Sequence, residues 1–482
     1  MRDEFGLAHP DRLFLAGQWV RASTNSELEV IDPAREDLVM RVAQAGPEDV
    51  ALAVDAAHRA FTSGSWPQMH VGERAGKLRL VAAKLRERQA TVARAITREM
   101  GAPYKAALAA LAGPPALFEY YADLIEALPE MDVRERLNGR AWSALRPVGV
   151  VAAIVPWNAP LNLSVLKLAP ALAAGCTVVL KSAPSTPIDA MILAECLEAA
   201  DFPEGVVSVL TGGNDAGEAL VSDPRVDKVT FTGSTGVGQR IAEVCAGRIA
   251  RIGLELGGKS AAILLDDMDV EEAARRLMPN SLMLSGQACS ALTRVIVPRH
   301  RHDALVEALA AAMEKVVVGD PFDEATEMGP ISIERQRDRV LEYVEIGKSE
   351  GACLVTGGKR PAHLDRGFFI APTLFSHVEN SMRIAREEIF GPVISVLACD
   401  DIDDAVATAN DSDYGLYASV FTHDDDAVIR LAAQLRSGNV AKNGVIVDRK
   451  LPYGGFKRSG IGREGGIEGL RAFQEQQVIY LS

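Results

Sequence analysis

No stretch of the chain stays apolar for the roughly 18 residues that a membrane-spanning helix needs, so no spanning segment is expected. The first residues, Met1-Arg2-Asp3-Glu4-Phe5, lack the apolar core of a signal peptide. Positive charge is in deficit: 51 Lys and Arg against 65 Asp and Glu leave a formal net charge of −14 at pH 7. That balance argues against a nucleic-acid backbone or an anionic membrane as the main partner. Cysteine is sparse. Cys176, Cys196, Cys245, Cys289, Cys353 and Cys399 are scattered, with no C-x-x-C pair among them. This spacing suits neither a disulfide framework nor a zinc site and points to a reducing, cytoplasmic setting. His300 and His302 flank Arg301 and read as a solvated loop at a strand end, and no metal is expected.

What is present is a globular composition, 48% hydrophobic and 24% charged over 482 residues, enough for two or three cores. Residues 10–46 read as short strands and turns. Helical spacing follows over 47–61 and 72–100, the latter stopped by Gly101-Ala102-Pro103. Residues 104–128 are again helical, interrupted at Gly113-Pro114-Pro115, and 138–146 look like an extended arm. From 148 the texture changes. Apolar runs at 148–155, 177–181, 206–210, 227–232 and 249–255 alternate with helical stretches near 161–174, 188–200 and 237–246. Such alternation predicts a parallel sheet with helices on both faces, which takes ligands at the carboxyl ends of its strands. The pattern resumes after Ser260 and runs to about Asn443, suggesting a second α/β unit.

The stretch from Glu255 to Cys289 holds a carboxylate and a thiol 34 positions apart, joined by a strand-like run (261–265) and a helix-like one (270–284). It also contains a trap. Gly253-Leu254-Glu255-Leu256-Gly257-Gly258-Lys259-Ser260 satisfies the phosphate-loop pattern, which requires a helix opening at its end. The residues after Ser260 read as a strand, so that context fails. Thr232-Gly233-Ser234-Thr235-Gly236 does follow a strand and open a helix, as a dinucleotide site would, although a tight structural turn explains it equally well. Cys289 on its own reads as small buried filler. Asn158, between two prolines at a strand end, could aim its amide at an oxyanion or could simply cap a rigid turn.

Together the motifs change this reading. Pro156-Trp157-Asn158, Phe231-Thr232-Gly233-Ser234, Glu255-Leu256-Gly257-Gly258-Lys259, Gly286-Gln287-x-Cys289, Glu387-Glu388-Ile389-Phe390-Gly391-Pro392 and Pro452-Tyr453-Gly454-Gly455-Phe456-Lys457-x-Ser459-Gly460 occur in this order. The set resembles the NAD(P)-dependent, non-acylating aldehyde dehydrogenase superfamily over nearly the whole chain. The resemblance implies an α/β fold with a Rossmann-like cofactor domain (1–126 and 146–256) and a catalytic α/β domain (257–457). It also implies a small β oligomerisation arm (127–145 and 470–482, with a C-terminal strand near 477–481) that pairs across a homodimer or homotetramer.

It further implies oxidation of a small-molecule aldehyde to the carboxylic acid. Cys289 matches the nucleophile that forms a thiohemiacetal and then a thioester. Asn158 and the Cys289 N–H match the oxyanion donors, and Glu255 matches the base that activates the hydrolytic water. Lys167 matches a lysine that supports the Asn and proton traffic, and Glu464 is a similar supporting group. A thiol of ordinary pKa is only ~3% ionised at pH 7, so the site must lower that pKa or supply a base. Because members that pass the acyl group to coenzyme A usually lack the glutamate, Glu255 favours release of the free acid.

For the cofactor, Lys181 matches the adenosine-ribose lysine, Ser234 a pyrophosphate contact, and Glu388 with Phe390 the nicotinamide-ribose clamp. Gly213 and Gly217 border the adenine. Ile154, Val155, Pro156, Trp157, Asn158, Ala183, Phe231, Thr232, Gly233, Val237, Glu255, Leu256, Gly257 and Cys289 complete the expected cleft. NAD is the expected cofactor. Pro184 stands where NAD-preferring members often place a Glu that repels a 2′-phosphate, which leaves NADP open. Ala159, Leu163 and Leu166 near the entrance suggest an aliphatic tunnel for a bulky apolar aldehyde. The competing readings are a phosphate-loop nucleotidase, a Cys-dependent esterase and a catalytically silent structural relative.

Overall fold

The computed structural model describes residues 4–136 and 139–480. Asn138, expected to open the arm, and Leu481, expected to end the C-terminal strand, lie outside the described residues, as do residues 1–3 and Ser482. Five parallel strands centre the first of two large sheets. Their spatial order is Val207–Thr211, Thr177–Ser182, Val150–Ile154, Lys228–Thr232, Arg251–Glu255. In chain order that is third, second, first, fourth, fifth. The winding direction therefore reverses between Val150–Ile154 and Lys228–Thr232, where open α/β sheets form their ligand crevice. The first four strands in that row are buried along their whole length and are mostly apolar, although Lys181 and Lys228 lie among them.

The second sheet has a parallel core as well, in the order Thr373–Ser376, Val393–Cys399, Leu292–Pro298, Ser260–Leu264, Tyr417–Phe421, Asn439–Lys442, with Cys353–Thr356 antiparallel at one edge. Beyond it the chain returns to the first sheet. Gly460–Ile461 pairs antiparallel with Arg251–Glu255, and the Leu256 N–H donates to the Ser459 carbonyl at 2.9 Å. The two sheets are thereby tied together at the segment following Glu255.

Some expected boundaries move. The helical stretch over 72–100 is two helices, Val71–Glu87 and Gln89–Met100, because Arg88 leaves helical geometry (φ −106°, ψ 4°). Its guanidinium donates instead to Glu195 and to the Phe5 carbonyl, and these tertiary bonds override a continuous helical pattern. Pro114 and Pro115 sit in the first turn of Gly113–Ala127, where their missing N–H groups cost nothing. His302 is not in a solvated loop. It opens the helix His302–Met313, is 4% exposed, and stacks on His377 with ring centroids 4.8 Å apart. His300 beside it is exposed, 3.2 Å from Asp266. The two arm segments pair with each other within one chain. Gln474–Tyr480 runs antiparallel to Gly139–Pro147, which pairs with Met131–Arg136. Met131–Arg136 is left as a wholly exposed edge strand.

Candidate active site

Three strand ends aim at one space. After Val150–Ile154 the chain passes through Pro156-Trp157-Asn158. After Lys228–Thr232 it turns through Gly233 and Ser234, and Arg251–Glu255 ends on Glu255 itself. Pro156, Trp157, Asn158, Thr232, Gly233, Ser234, Glu255, Leu256, Gly257, Cys289, Glu388, Phe390 and Glu464 line a single cavity of about 960 Å3. The six separate motifs thus meet across both sheets.

Cys289 reaches the cavity because the preceding helix stops early. It spans Val270–Ser281, short of the expected Leu284, and Leu284 and Ser285 take left-handed backbone angles (φ 51° and 58°). The Ser285 hydroxyl donates to the Gly329 carbonyl at 2.9 Å and anchors the reversal. Gly286 has φ 75°, and a Cβ there would stand 2.2 Å from the Gly391 backbone, so only glycine permits this close packing against the Glu387–Pro392 motif. Gln287 is fully buried. Its side chain accepts from the Ser332 N–H at 2.9 Å and donates to the Leu284 carbonyl at 2.9 Å. The Asn158 amide donates to the Gln287 carbonyl at 2.8 Å, which leaves its second N–H unspent.

The phosphate-loop reading fails on geometry. Ser260–Leu264 is a strand, and Lys259 is buried and pushed down to about 7 by desolvation, beside the cation of Arg294. Gly257 and Gly258 serve close packing. A Cβ on Gly257 would lie 2.4 Å from the Glu388 carboxylate, and one on Gly258 would lie 2.3 Å from the Cys289 carbonyl. The Gly258 N–H donates to Glu388 at 2.9 Å, and the Ser459 hydroxyl donates to the Gly257 carbonyl at 2.7 Å.

Electrostatically the site is acidic. Glu255 is 6% exposed, neither of its oxygens has a hydrogen-bond partner among the described residues, and burial followed by the neighbouring Glu464 holds its pKa well above the usual carboxylate range. Burial and the charge of Glu388 push the Cys289 thiol up to about 11. Glu388 is itself pushed up to about 7 by burial. Lys167, fully buried, pairs with Glu464 and donates to Thr230 at 3.3 Å. Its bonds run to Glu464 and Thr230, so the expected support of Asn158 by Lys167 is not direct. Lys167 is the counter-ion of Glu464.

The expected cofactor residues form two groups. Trp157 and Phe390 meet edge to face at 5.5 Å in the cavity wall, next to Glu388. Ser234 caps the helix Thr235–Ala246, and Thr232, two residues before it, has a buried hydroxyl without a partner among the described residues. A helix N-terminus with an orphaned hydroxyl beside it fits a pyrophosphate. Val237, in that helix, is half-exposed. The second group lies outside this cavity. Lys181 donates to the Ser182 and Gly212 carbonyls and sits against Gly217, where a Cβ would come within 3.3 Å of its Cε. Gly213 is next to it, Pro184 is exposed, and Ala183 is buried. Ile154, Val155 and Phe231 are buried behind the crevice. Gly233 lies against the Phe231 ring, which a Cβ would meet at 2.4 Å.

A model of the aldehyde dehydrogenase family matches residues 19–479. The chain belongs to the aldehyde dehydrogenase family. A geranial dehydrogenase from Castellaniella defragrans is 42% identical over 471 residues, covering 97% of this chain and 98% of that protein. A 3-succinoylsemialdehyde-pyridine dehydrogenase from a Pseudomonas species is 40% identical over 97% of each chain. The crystal structure of a Mycobacterium tuberculosis aldehyde dehydrogenase complexed with NAD+ superimposes with a TM-score of 0.96 at 42% identity, over 99% of both chains. The reaction class of this aldehyde dehydrogenase is accordingly NAD(P)-dependent aldehyde oxidation.

Several cavity residues of the dehydrogenase escaped the sequence reading. Tyr453 was seen only as part of a motif, yet its hydroxyl lies 3.8 Å from the Cys289 sulfur. Gln336 donates to the Ile389 and Phe390 carbonyls and fixes the loop that presents Phe390, whose φ is 62°. Arg449, Met283 and Val447 also line the cavity. No local spacing marks any of these residues. Leu166, expected near the entrance, is 1% exposed and packs in the core, while Ala159 and Leu163 do line the cavity.

Proposed function

We propose that the protein oxidises an apolar aldehyde to its carboxylic acid with NAD, using Cys289 as nucleophile and Glu255 as general base. The observation that carries this reading is the convergence of Cys289, Glu255 and Asn158 on one cavity at the strand reversal of a Rossmann-like sheet. The Cys289 thiolate adds to the aldehyde carbon, and the oxyanion that forms is held by the free Asn158 N–H and the Cys289 backbone N–H. Bound NAD supplies a hydride acceptor, so that the adduct becomes a thioester on Cys289. Glu255 then takes a proton from water as that water attacks the thioester carbon, which releases the acid and restores the thiol. The Lys167–Glu464 pair next to Glu255 gives that proton a polar route out of the cavity.

Thr232, Ser234, Trp157, Glu388 and Phe390 would hold the pyrophosphate and nicotinamide half, and Lys181, Gly213 and Gly217 the adenosine half. Pro184 supplies no carboxylate against a 2′-phosphate, so NADP is tested beside NAD. Ala159, Leu163, Met283, Leu284 and Val447 give the cavity an aliphatic wall, which supports an apolar substrate. The name of the Castellaniella relative points the same way. The proposed domain division is 1–126 with 146–256 for the cofactor domain, 257–457 for the catalytic domain, and 127–145 with 470–482 for the arm. The exposed edge of Met131–Arg136 supports a homodimer or homotetramer. Six free cysteines suit a reducing, cytoplasmic compartment.

The test is a panel of aldehydes with NAD or NADP, followed by absorbance of the reduced nicotinamide. The expected result is the highest kcat/KM for bulky apolar aldehydes with NAD. A preference for small or carboxylate-bearing aldehydes would overturn the substrate class, and no reduction with any aldehyde would overturn the reaction.

A further inference from the structure

Resting on Cys289 as the nucleophile, we propose that Tyr453 and Arg449 form a dyad that activates its thiol. Tyr453 donates its hydroxyl hydrogen bond to the thiolate, and Arg449 lies over the Tyr453 ring as the cation that strengthens this donor. Three observations place the groups. The Tyr453 hydroxyl is 3.8 Å from the Cys289 sulfur, within the range of a bond to sulfur. The Arg449 guanidinium stands over the Tyr453 ring at 5.2 Å from its centroid, in the range of cation–π attraction. Arg449, Tyr453 and Cys289 all line the same cavity.

The need for such a device comes from the rest of the site. Glu255 and Glu388 both face Cys289 and oppose a second negative charge there, whereas Tyr453 and Arg449 favour it. Glu464 adds to the negative side through Glu255, and Lys167 and Arg463 offset it. Burial holds the Tyr453 phenol well above its ordinary range, so it stays protonated and can only donate to a thiolate. Between a neutral thiol and a phenol either group can donate. Once the thiol ionises only the phenol can, so the bond favours the charged form selectively. A cation on the ring face draws electron density from the phenol and makes its O–H a stronger donor. When the thiol ionises its proton leaves to cavity water, and the phenol proton remains on Tyr453. The backbones of Tyr453 and Glu464 are joined by two hydrogen bonds of 2.7 and 2.9 Å, which hold the ring in place.

The test reads the thiolate directly and needs neither aldehyde nor cofactor. In a Cys353→Ser background, which removes the exposed thiol, the rate of Cys289 alkylation by iodoacetamide is followed against pH. The Cys289 sulfur–carbon bond forms as iodide leaves, so the rate reports the thiolate fraction. Tyr453→Phe keeps the ring and removes the donor, and should slow alkylation at pH 7 about tenfold, with the profile moved to higher pH. Arg449→Met keeps the stem and removes the charge, and should slow it about threefold. Arg449→Lys should stay within about twofold of the parent. Profiles of Tyr453→Phe or Arg449→Met that superimpose on the parent would overturn the dyad while leaving the oxidation reading intact. Unchanged turnover in Cys289→Ala would instead overturn that reading.

Discussion

Burial favours the protonated forms of Cys289 and Glu255 alike, yet the proposed chemistry needs both as anions. That tension sets what each residue should show when changed. Cys289→Ala removes the nucleophile and should abolish turnover while leaving the circular dichroism and melting temperature unchanged. Asn158→Ala removes one of two oxyanion donors and should lower kcat by roughly a hundredfold, about 3 kcal/mol in the barrier. A loss well under tenfold would mean that the Cys289 N–H suffices alone. Glu255 has its pKa raised by burial and by Glu464. It acts as a base only when deprotonated, so thioester hydrolysis should rise with pH through that raised pKa and fall toward acid. Single-turnover deacylation measured against pH checks the sign, and a flat profile would remove Glu255 from the role.

Among the elements, the segment from Gly257 to Cys289 is held by close backbone approaches. Gly258→Ala would drive a Cβ into the Cys289 carbonyl and should cost activity more than it costs stability. Thermal melting beside kcat separates the two effects. A second element-scale expectation concerns Glu99 and Asp189. Both are buried, and the Glu99 carboxylate accepts from the Ile188 and Asp189 N–H groups at the start of the helix Ile188–Ala199, while both Asp189 oxygens lack partners among the described residues. Burial raises both pKa values, and at Glu99 the charge of Asp189 adds to the rise. A carboxyl group with a raised folded pKa contributes stability that is full at low pH and is lost as pH climbs through that pKa. Asp189→Asn should therefore gain on the parent as pH rises, melting closest to it near pH 3, below the ordinary carboxyl value of 3.8, and furthest above it at pH 9. A difference independent of pH would contradict the raised carboxyl pKa values.

At the scale of the whole molecule, Met131–Arg136 is the end strand of its three-stranded sheet, with Met131 and Val133 about half exposed. Sedimentation should give a multiple of the 51.5 kDa chain mass. Val133→Pro, which removes an edge N–H, should shift the population toward the single chain. A parent protein that sediments as a monomer would contradict pairing through this edge.

Much of this architecture was legible in the sequence, and for a physical reason. Strands buried on both faces are rich in apolar residues, so the runs at 150–154, 177–182, 207–211 and 228–232 stand out even with Lys181 and Lys228 among them. Cys289 and Glu255 were legible only through the ordered motifs, since neither carries a local mark of reactivity. Tyr453, 164 positions from Cys289, was hidden because only the return of the chain to the first sheet brings the two together. The break at Arg88 and the burial of His302 depend likewise on partners distant in sequence, Glu195 and His377.

The central claim, a Cys289 thioester hydrolysed by Glu255, is tested most directly by rapid mixing of Glu255→Gln with NAD and an apolar aldehyde. The predicted result is one equivalent of reduced nicotinamide per active site, followed by a stall, with the acyl mass retained on Cys289. Full steady-state turnover without that accumulation, or the same burst from Cys289→Ala, would contradict it.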